Sequence, residues 1–225
     1  MKQLKLLLIA FLLTLTSAHG FESKSQEINR LKQEILELAY SFEGQADTDG
    51  TKQDEIELKI QELLLLVPRL SFQDRAVKAI GAWRQVWGPY AFDDSQTVPD
   101  RMDVKNIYQV IKPEGYYYNF AQYKFGNRLV RSFLRGNFEI QNDRIAVEFN
   151  RTGLILGSTD VAMPDLVDAL ENRTVRAVRF PDFLPPSGVR GGLIEIYADE
   201  DIRLNYGTVG DNLENPALFV MERWK

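Results

Sequence analysis

The run Gly191 to Lys225, GGLIEIYADEDIRLNYGTVGDNLENPALFVMERWK, decides the fold. Ile194 and Ile196 alternate with Leu193, Glu195 and Tyr197, and Ile202, Leu204 and Tyr206 alternate with Arg203 and Asn205. Ala217 to Trp224 is a third run rich in β-formers. Alternation of period two, broken by turn residues, predicts antiparallel strands. Asp199-Glu200-Asp201 is a tight acidic connector, and Gly207 to Pro216 is a looser one.

The same pattern extends upstream. Gly81 to Trp87 holds Trp83 and Trp87. Asn106 to Lys112 and Gly115 to Lys124 are joined around Pro113-Glu114. Tyr116, Tyr118 and Phe120 share one face of the second of these, and Tyr117 and Tyr123 share the other. Arg128 to Gln141 predicts a long strand bent at Gly136, and Ile145, Val147 and Phe149 alternate with Glu148 and Asn150. Val175 to Phe180 is a further candidate, and Asp93 to Asp103 and Asp182 to Gly192 read as loops. Counted together these give about eight to ten short strands, which fits an up-and-down barrel or a sandwich.

Before residue 80 the period changes to that of a helix. Ile28, Leu31, Ile35, Leu38 and Phe42 form one stripe in a helix over 21–42, with Ser25 near its start. Ile56, Ile60, Leu63, Leu64 and Val67 form another in a helix over 52–67, which Pro68 ends. The two make a helical hairpin over 21–79 whose stripe is expected to pack on the sheet of 80–225.

Tyr197 to Leu204, with Gly207, Gly210 and Leu218-Phe219-Val220, resembles the closing motif of the plastid lipid-associated proteins, or plastid fibrillins. The Gly81-Ala82-Trp83 strand is a second point of resemblance. The chain departs from the family pattern at Tyr206, where Arg is usual, and in a longer last loop. The resemblance implies a lipocalin-like antiparallel β-barrel behind an N-terminal helical hairpin. It also implies a non-enzymatic role in binding a lipid or other small hydrophobic molecule.

Lys2 and Lys5 precede an apolar run from Leu6 to Leu15, followed by small-residue exits at Ala18 and Gly20. That arrangement predicts a secretory signal peptide over 1–18, with cleavage after Gly20 as the variant and a membrane anchor as the other reading. The run is short of the roughly 20 residues a spanning helix needs. The expected location is periplasmic or secreted, in a bacterium. Loss of Lys2 and Lys5 takes the net charge from −5 to −7, which disfavours nucleic acid and anionic surfaces as partners.

The chain has no Cys, and cleavage after Gly20 would also remove its one His, His19. Nucleophilic triads and zinc sites depend on those residues, so neither is expected. Gln45 to Ile56 has the length of a calcium loop but lacks acidic groups at its first and last positions. No cofactor is expected. Asp199, Glu200 and Asp201 are the carboxylates that a minor, enzymatic reading would use, and they read more simply as a solvated turn.

Barrels of this size either fill with side chains or enclose one small ligand. The candidate lining is Trp83, Trp87, Tyr116, Tyr118, Phe120, Phe138, Phe149, Tyr197 and Arg203. Arg203 either points outward to pair with Asp199 or Glu195, or points inward to hold an acidic head group. The alternative function is a filled-core scaffold that contacts an envelope protein through its surface.

Overall fold

A computed structural model describes residues 23–43, 45, 47–88, 102–125, 128–155, 163–178, 190–209 and 216–224. The predicted signal peptide, most of the loop expected over 93–103, residues 179–189 and Gly210 lie outside the described residues, and Arg190 to Gly192, expected in a loop over 182–192, begin a strand instead.

Helix α1 (Lys24–Ser41) opens on a capping box. The Ser23 hydroxyl accepts from the Gln26 backbone N–H at 3.2 Å, and the Gln26 side chain accepts from the Ser23 N–H at 2.8 Å. The cap is therefore Ser23 rather than the neighbourhood of Ser25. Helix α2 (Thr51–Leu66) follows a left-handed Gly50 (φ 82°). The Asp47 carboxylate accepts from the N–H groups of Lys52 and Gln53 at 3.2 and 2.9 Å. The acidic loop that resembles a calcium site thus caps a helix, and among the described residues no acidic cluster is arranged to hold a metal. A short helix α3 (Phe72–Lys78), capped by Ser71, leads into the sheet.

The strands are β1 (Gly81–Trp87), β2 (Met102–Lys112), β3 (Tyr116–Phe125), β4 (Arg128–Ile140) and β5 (Ile145–Ile155). After helix α4 (Met163–Glu171) come β6 (Ala177–Val178), β7 (Arg190–Ala198), β8 (Ile202–Val209) and β9 (Ala217–Arg223). All pairings are antiparallel. The order β4-β3-β2-β1-β9-β8-β7-β5, with β4 also paired to β5, closes an eight-stranded barrel. The closure gives each of the eight long strands a paired neighbour on both sides. Of the strand expected over 175–180, Ala177–Val178 form the short β6 on the end of β5, and residues 179–180 lie outside the described residues. Gly115 (φ 90°) makes the β2–β3 turn, its N–H donating to the Lys112 carbonyl at 3.1 Å.

The register identifies the two faces of the wall. Arg203 on β8 reaches Gln109 on β2, three strands round the ring, so these residues face the interior. Alternation from that anchor places Trp83, Gln85, Ile111, Tyr117, Ser132, Leu134, Val147, Leu193, Glu195, Asn205 and Phe219 on the inner face.

Two helical units cover the outer face. Leu31, Ile35 and Ala39 of α1 and Ile56, Ile60 and Leu63 of α2 pack on Val86, Trp87, Ile202, Leu204, Leu218 and Val220. Leu64 was expected in that stripe but is 37 % exposed. Leu166, Val167 and Leu170 of α4 pack on Tyr108, Val110, Tyr118, Phe120, Phe133 and Ile155. Among the described residues no helix is long and apolar enough to cross a membrane.

Candidate functional site

The two ends of the barrel differ. At one end α3 lies across the opening. Ala76 and Ala79 pack with Ile111, Tyr117, Ile145, Val147 and Leu193, and the Trp83 indole N–H donates to the Ala79 carbonyl at 2.7 Å. Gly81 (φ 142°) is required there, because a Cβ at that position would lie 1.8 Å from Nη1 of Arg223. The Arg223 guanidinium sits 3.8 Å above the Trp83 ring and donates to the carbonyls of Ile80 and Asp199.

The middle of the barrel is polar and sealed. Arg203 donates from Nε to Glu195 Oε2 at 3.0 Å and from Nη2 to Glu195 Oε1 at 2.5 Å. Its Nη1 donates to Gln109 Oε1 at 2.7 Å and lies 3.4 Å from Met221 Sδ. Arg203 and Glu195 side chains are both 0 % exposed. The Tyr117 hydroxyl donates to Asn119 Oδ1 at 2.7 Å, and burial pushes that hydroxyl up in pKa. Arg203 thus points inward, as one reading of the sequence had it, and pairs with Glu195, as the other did.

One inward step further along β8 is Asn205, which is 0 % exposed. Neither its amide nitrogen nor its carbonyl oxygen finds a partner among the described residues, and the same holds for Nε2 of the buried Gln85 on β1. Beyond this level, toward the ends of β1, β3, β5 and β8, the described inner face is less buried. Ala121, Val130, Leu134, Thr152, Leu154 and Phe219 point inward and are half-buried, whereas Trp83, Ile111, Tyr117 and Ile145 toward the α3 end are buried. The Phe219 ring is held between two glycines: a Cβ would approach it to 2.6 Å from Gly207 and 2.8 Å from Gly88. Apolar walls above a few buried polar groups are the chemistry of a pocket for a mainly apolar molecule with one polar end.

The structure divides the residues expected to line the barrel. Trp83, Phe138, Phe149 and Arg203 face inward, toward the α3 end and the middle. Tyr116, Tyr118 and Phe120 face outward: the latter two are buried under α4, and Arg135 stacks 4.3 Å from the Tyr116 ring. Trp87 and Tyr197 follow β-bulges at Gln85/Trp87 and Glu195/Tyr197 that shift the register, and both pack against the helical hairpin. Asn205, Gln85, Leu134, Leu154 and Phe219 escaped the sequence reading. The alternation of β8 with Arg203 fixed as inward is the signal that would have found Asn205.

The acidic turn is structural in its contacts. Lys32 of α1 donates to Asp199 at 2.8 Å and to Asp201 at 2.9 Å, and the Tyr197 hydroxyl donates to Asp199 at 2.7 Å. Burial pushes the Asp199 carboxyl up, but Lys32, the N–H groups of Ile202 and Asp201 and the Tyr197 hydroxyl together hold it below its ordinary value.

Two grooves mark the outer surface. A groove of about 800 Å³ runs between the end of α2, the 67–71 linker and β7–β8, with Leu64, Leu65, Val67, Leu70, Ile196 and Tyr206 among its lining. A smaller, polar one of about 470 Å³ lies over β4, β5 and β7, with Glu139, Arg144, Glu148 and Arg190.

The architecture defines a lipocalin-like protein: an eight-stranded antiparallel barrel, plugged at one end and backed by a helical pair. The family model PAP_fibrillin matches residues 29–213, and the chain belongs to this family of plastid lipid-associated, or fibrillin, proteins. The match runs from α1 through β8 and thus includes both the hairpin and most of the barrel. No curated protein matches the chain significantly.

Proposed function

We propose that this protein binds a small hydrophobic molecule, without chemical turnover, in the open half of its barrel. The apolar body of the ligand lies against Val130, Leu134, Leu154 and Phe219, and its polar end meets Asn205 and Gln85. The observation that carries this reading is Asn205: fully buried, with both amide atoms unpartnered among the described residues, at the foot of a half-buried apolar wall. An unpartnered buried amide costs about 1–3 kcal/mol, so a polar group or water is favoured beside it. Membership of a lipid-associated family supports the ligand class. The basic-then-apolar N-terminus supports a periplasmic or secreted location.

Fluorescence titration with N-phenyl-1-naphthylamine, a neutral apolar dye, tests the reading. Wild-type protein should take up one dye per chain. Leu154→Glu, inside the open half, should abolish uptake, and Leu65→Glu, in the outer groove, should leave it unchanged. The filled-core scaffold remains the second reading, favoured by the sealed half where Trp83, Tyr117 and Arg203 occupy the interior. No uptake by the folded wild-type protein is the scaffold's result. Loss with Leu65→Glu alone would move the site outside the barrel.

A further inference from the structure

The surroundings of Asn205 define what its amide can receive. On β7 its register partner is Glu195, and both oxygens of that carboxylate already accept from Arg203. On β9 its register partner is Phe219, which offers a ring and no polar atom. The next inward position along β8 is Gly207, which brings no side chain of its own. Asn205 is 0 % exposed, and its Nδ2 and Oδ1 both lack a partner among the described residues. Exchanging the two amide atoms changes nothing, because neither is served. Gln85 reaches the same level from β1. Its unpartnered Nε2 lies 3.1 Å from the point a Gly88 Cβ would take, and the Phe219 ring lies 2.8 Å from that point.

Resting on the reading of the barrel as a pocket, we propose that the polar end it receives is a hydroxyl, a group that donates a hydrogen bond as well as accepting one. Asn205 has N–H donors and a carbonyl acceptor to satisfy together. The hydroxyl hydrogen goes to Oδ1, and its oxygen accepts from Nδ2 of the same amide or from Nε2 of Gln85. An ether, ester or ketone of the same length accepts equally well but carries no hydrogen for Oδ1. Once seated, it leaves that oxygen buried and unserved. Where such an end group displaces water from the amide, it fails to reproduce the bond that water gave to Oδ1. The ligand class is therefore a long-chain alcohol with its hydroxyl inward, rather than an esterified or etherified chain.

The test compares cis-parinaryl alcohol with its methyl ether on the full chain, read by probe fluorescence. The two share one polyene tail, both are uncharged, and only the alcohol donates. The alcohol is expected to bind at least about tenfold more tightly, a difference of about 1.4 kcal/mol. Asn205→Leu keeps the shape of the side chain and removes both polar atoms, and it should bring the two affinities within about twofold of each other. Equal affinities of the wild-type protein would overturn the proposal and leave the pocket standing. A preference that survives in Asn205→Leu would belong to the bulk of the ether methyl, and would overturn the proposal as well. Where Asn205→Leu does not fold, the terminal fluoride of the same chain replaces it as the control on wild-type protein. The fluoride is close to a hydroxyl in size and has no hydrogen to donate, so binding as tight as that of the alcohol would overturn the proposal. Uptake of no parinaryl probe, together with no uptake of the naphthylamine dye, would overturn the pocket itself and this proposal with it.

Discussion

Arg203 and Glu195 meet as a two-pronged ion pair inside the barrel, on neighbouring strands, with neither side chain exposed. Removing one partner leaves the other charge buried alone, which typically costs about 3–5 kcal/mol, whereas apolar replacement of both is often close to neutral. Arg203→Met should therefore lose about that much stability, and Arg203→Met combined with Glu195→Leu should recover most of it. Urea unfolding at pH 7 measures both. A double variant whose loss equals the sum of the two single losses would show that the pair is not coupled.

The closing motif also ties the hairpin to the barrel. Lys32 reaches from α1 to Asp199 and Asp201, and Tyr197 supports Asp199 from behind. Because the Asp199 carboxyl is held below its ordinary value, its contribution to stability is present above the unfolded value, near pH 4. It is lost as pH falls through the lower folded value. Burial pushes the Lys32 ammonium down, but its two aspartates raise it further, so its contribution is complete below about pH 10 and fades above that. Lys32→Met should cost about 1 kcal/mol at pH 7. It should also shrink the drop in melting temperature between pH 7 and pH 3. An unchanged acid limb would exclude this pair as its source.

Gly207 governs the shape of the open half. A Cβ there would lie 2.6 Å from the Phe219 ring, which Gly88 confines on its other side. Gly207→Ala must push the ring toward the barrel interior, narrowing the pocket. Dye affinity should fall about tenfold while stability falls by about 1–3 kcal/mol. A variant with wild-type dye affinity would show that Phe219 does not border the ligand.

Phe120 provides the converse. It is 1 % exposed, stacked 5.4 Å from Tyr118 and buried under α4 on the outer wall. Phe120→Ala should cost about 3–5 kcal/mol in urea unfolding. Dye affinity of the folded variant should stay within about twofold of wild type, a shift of only about 0.4 kcal/mol. A large loss of affinity with little loss of stability would return Phe120 to the site.

The fold was legible because the hairpin and the strands carry distinct periods. Leu31, Ile35, Ile56 and Ile60 stand at four-residue spacing and are buried, and β3 and β4 begin and end within a residue or so of their expected bounds, whereas β2 starts at Met102, inside the loop expected over 93–103. Helices α3 and α4 were not legible. Each is short, of 7 and 9 residues, and α4 has Pro164 as its second residue. Missing α4 had a consequence for the site. Without it, the outer face of β3 has no cover, so Tyr118 and Phe120 look like residues that need the barrel interior. Both faces of that strand are in fact buried, and alternation alone cannot say which is inside. The bulges before Trp87 and Tyr197 shift the register by one residue, a change that no composition pattern announces.

The measurement that bears most directly on the central claim is photo-labelling with a neutral apolar diazirine ester, followed by peptide mapping. Label on the β4, β5 and β9 peptides that hold Leu134, Leu154 and Phe219, competed away by N-phenyl-1-naphthylamine, is the predicted result. Label confined to the α2 end and the 67–71 linker would place the hydrophobic molecule in the outer groove, and would contradict a ligand held inside the barrel.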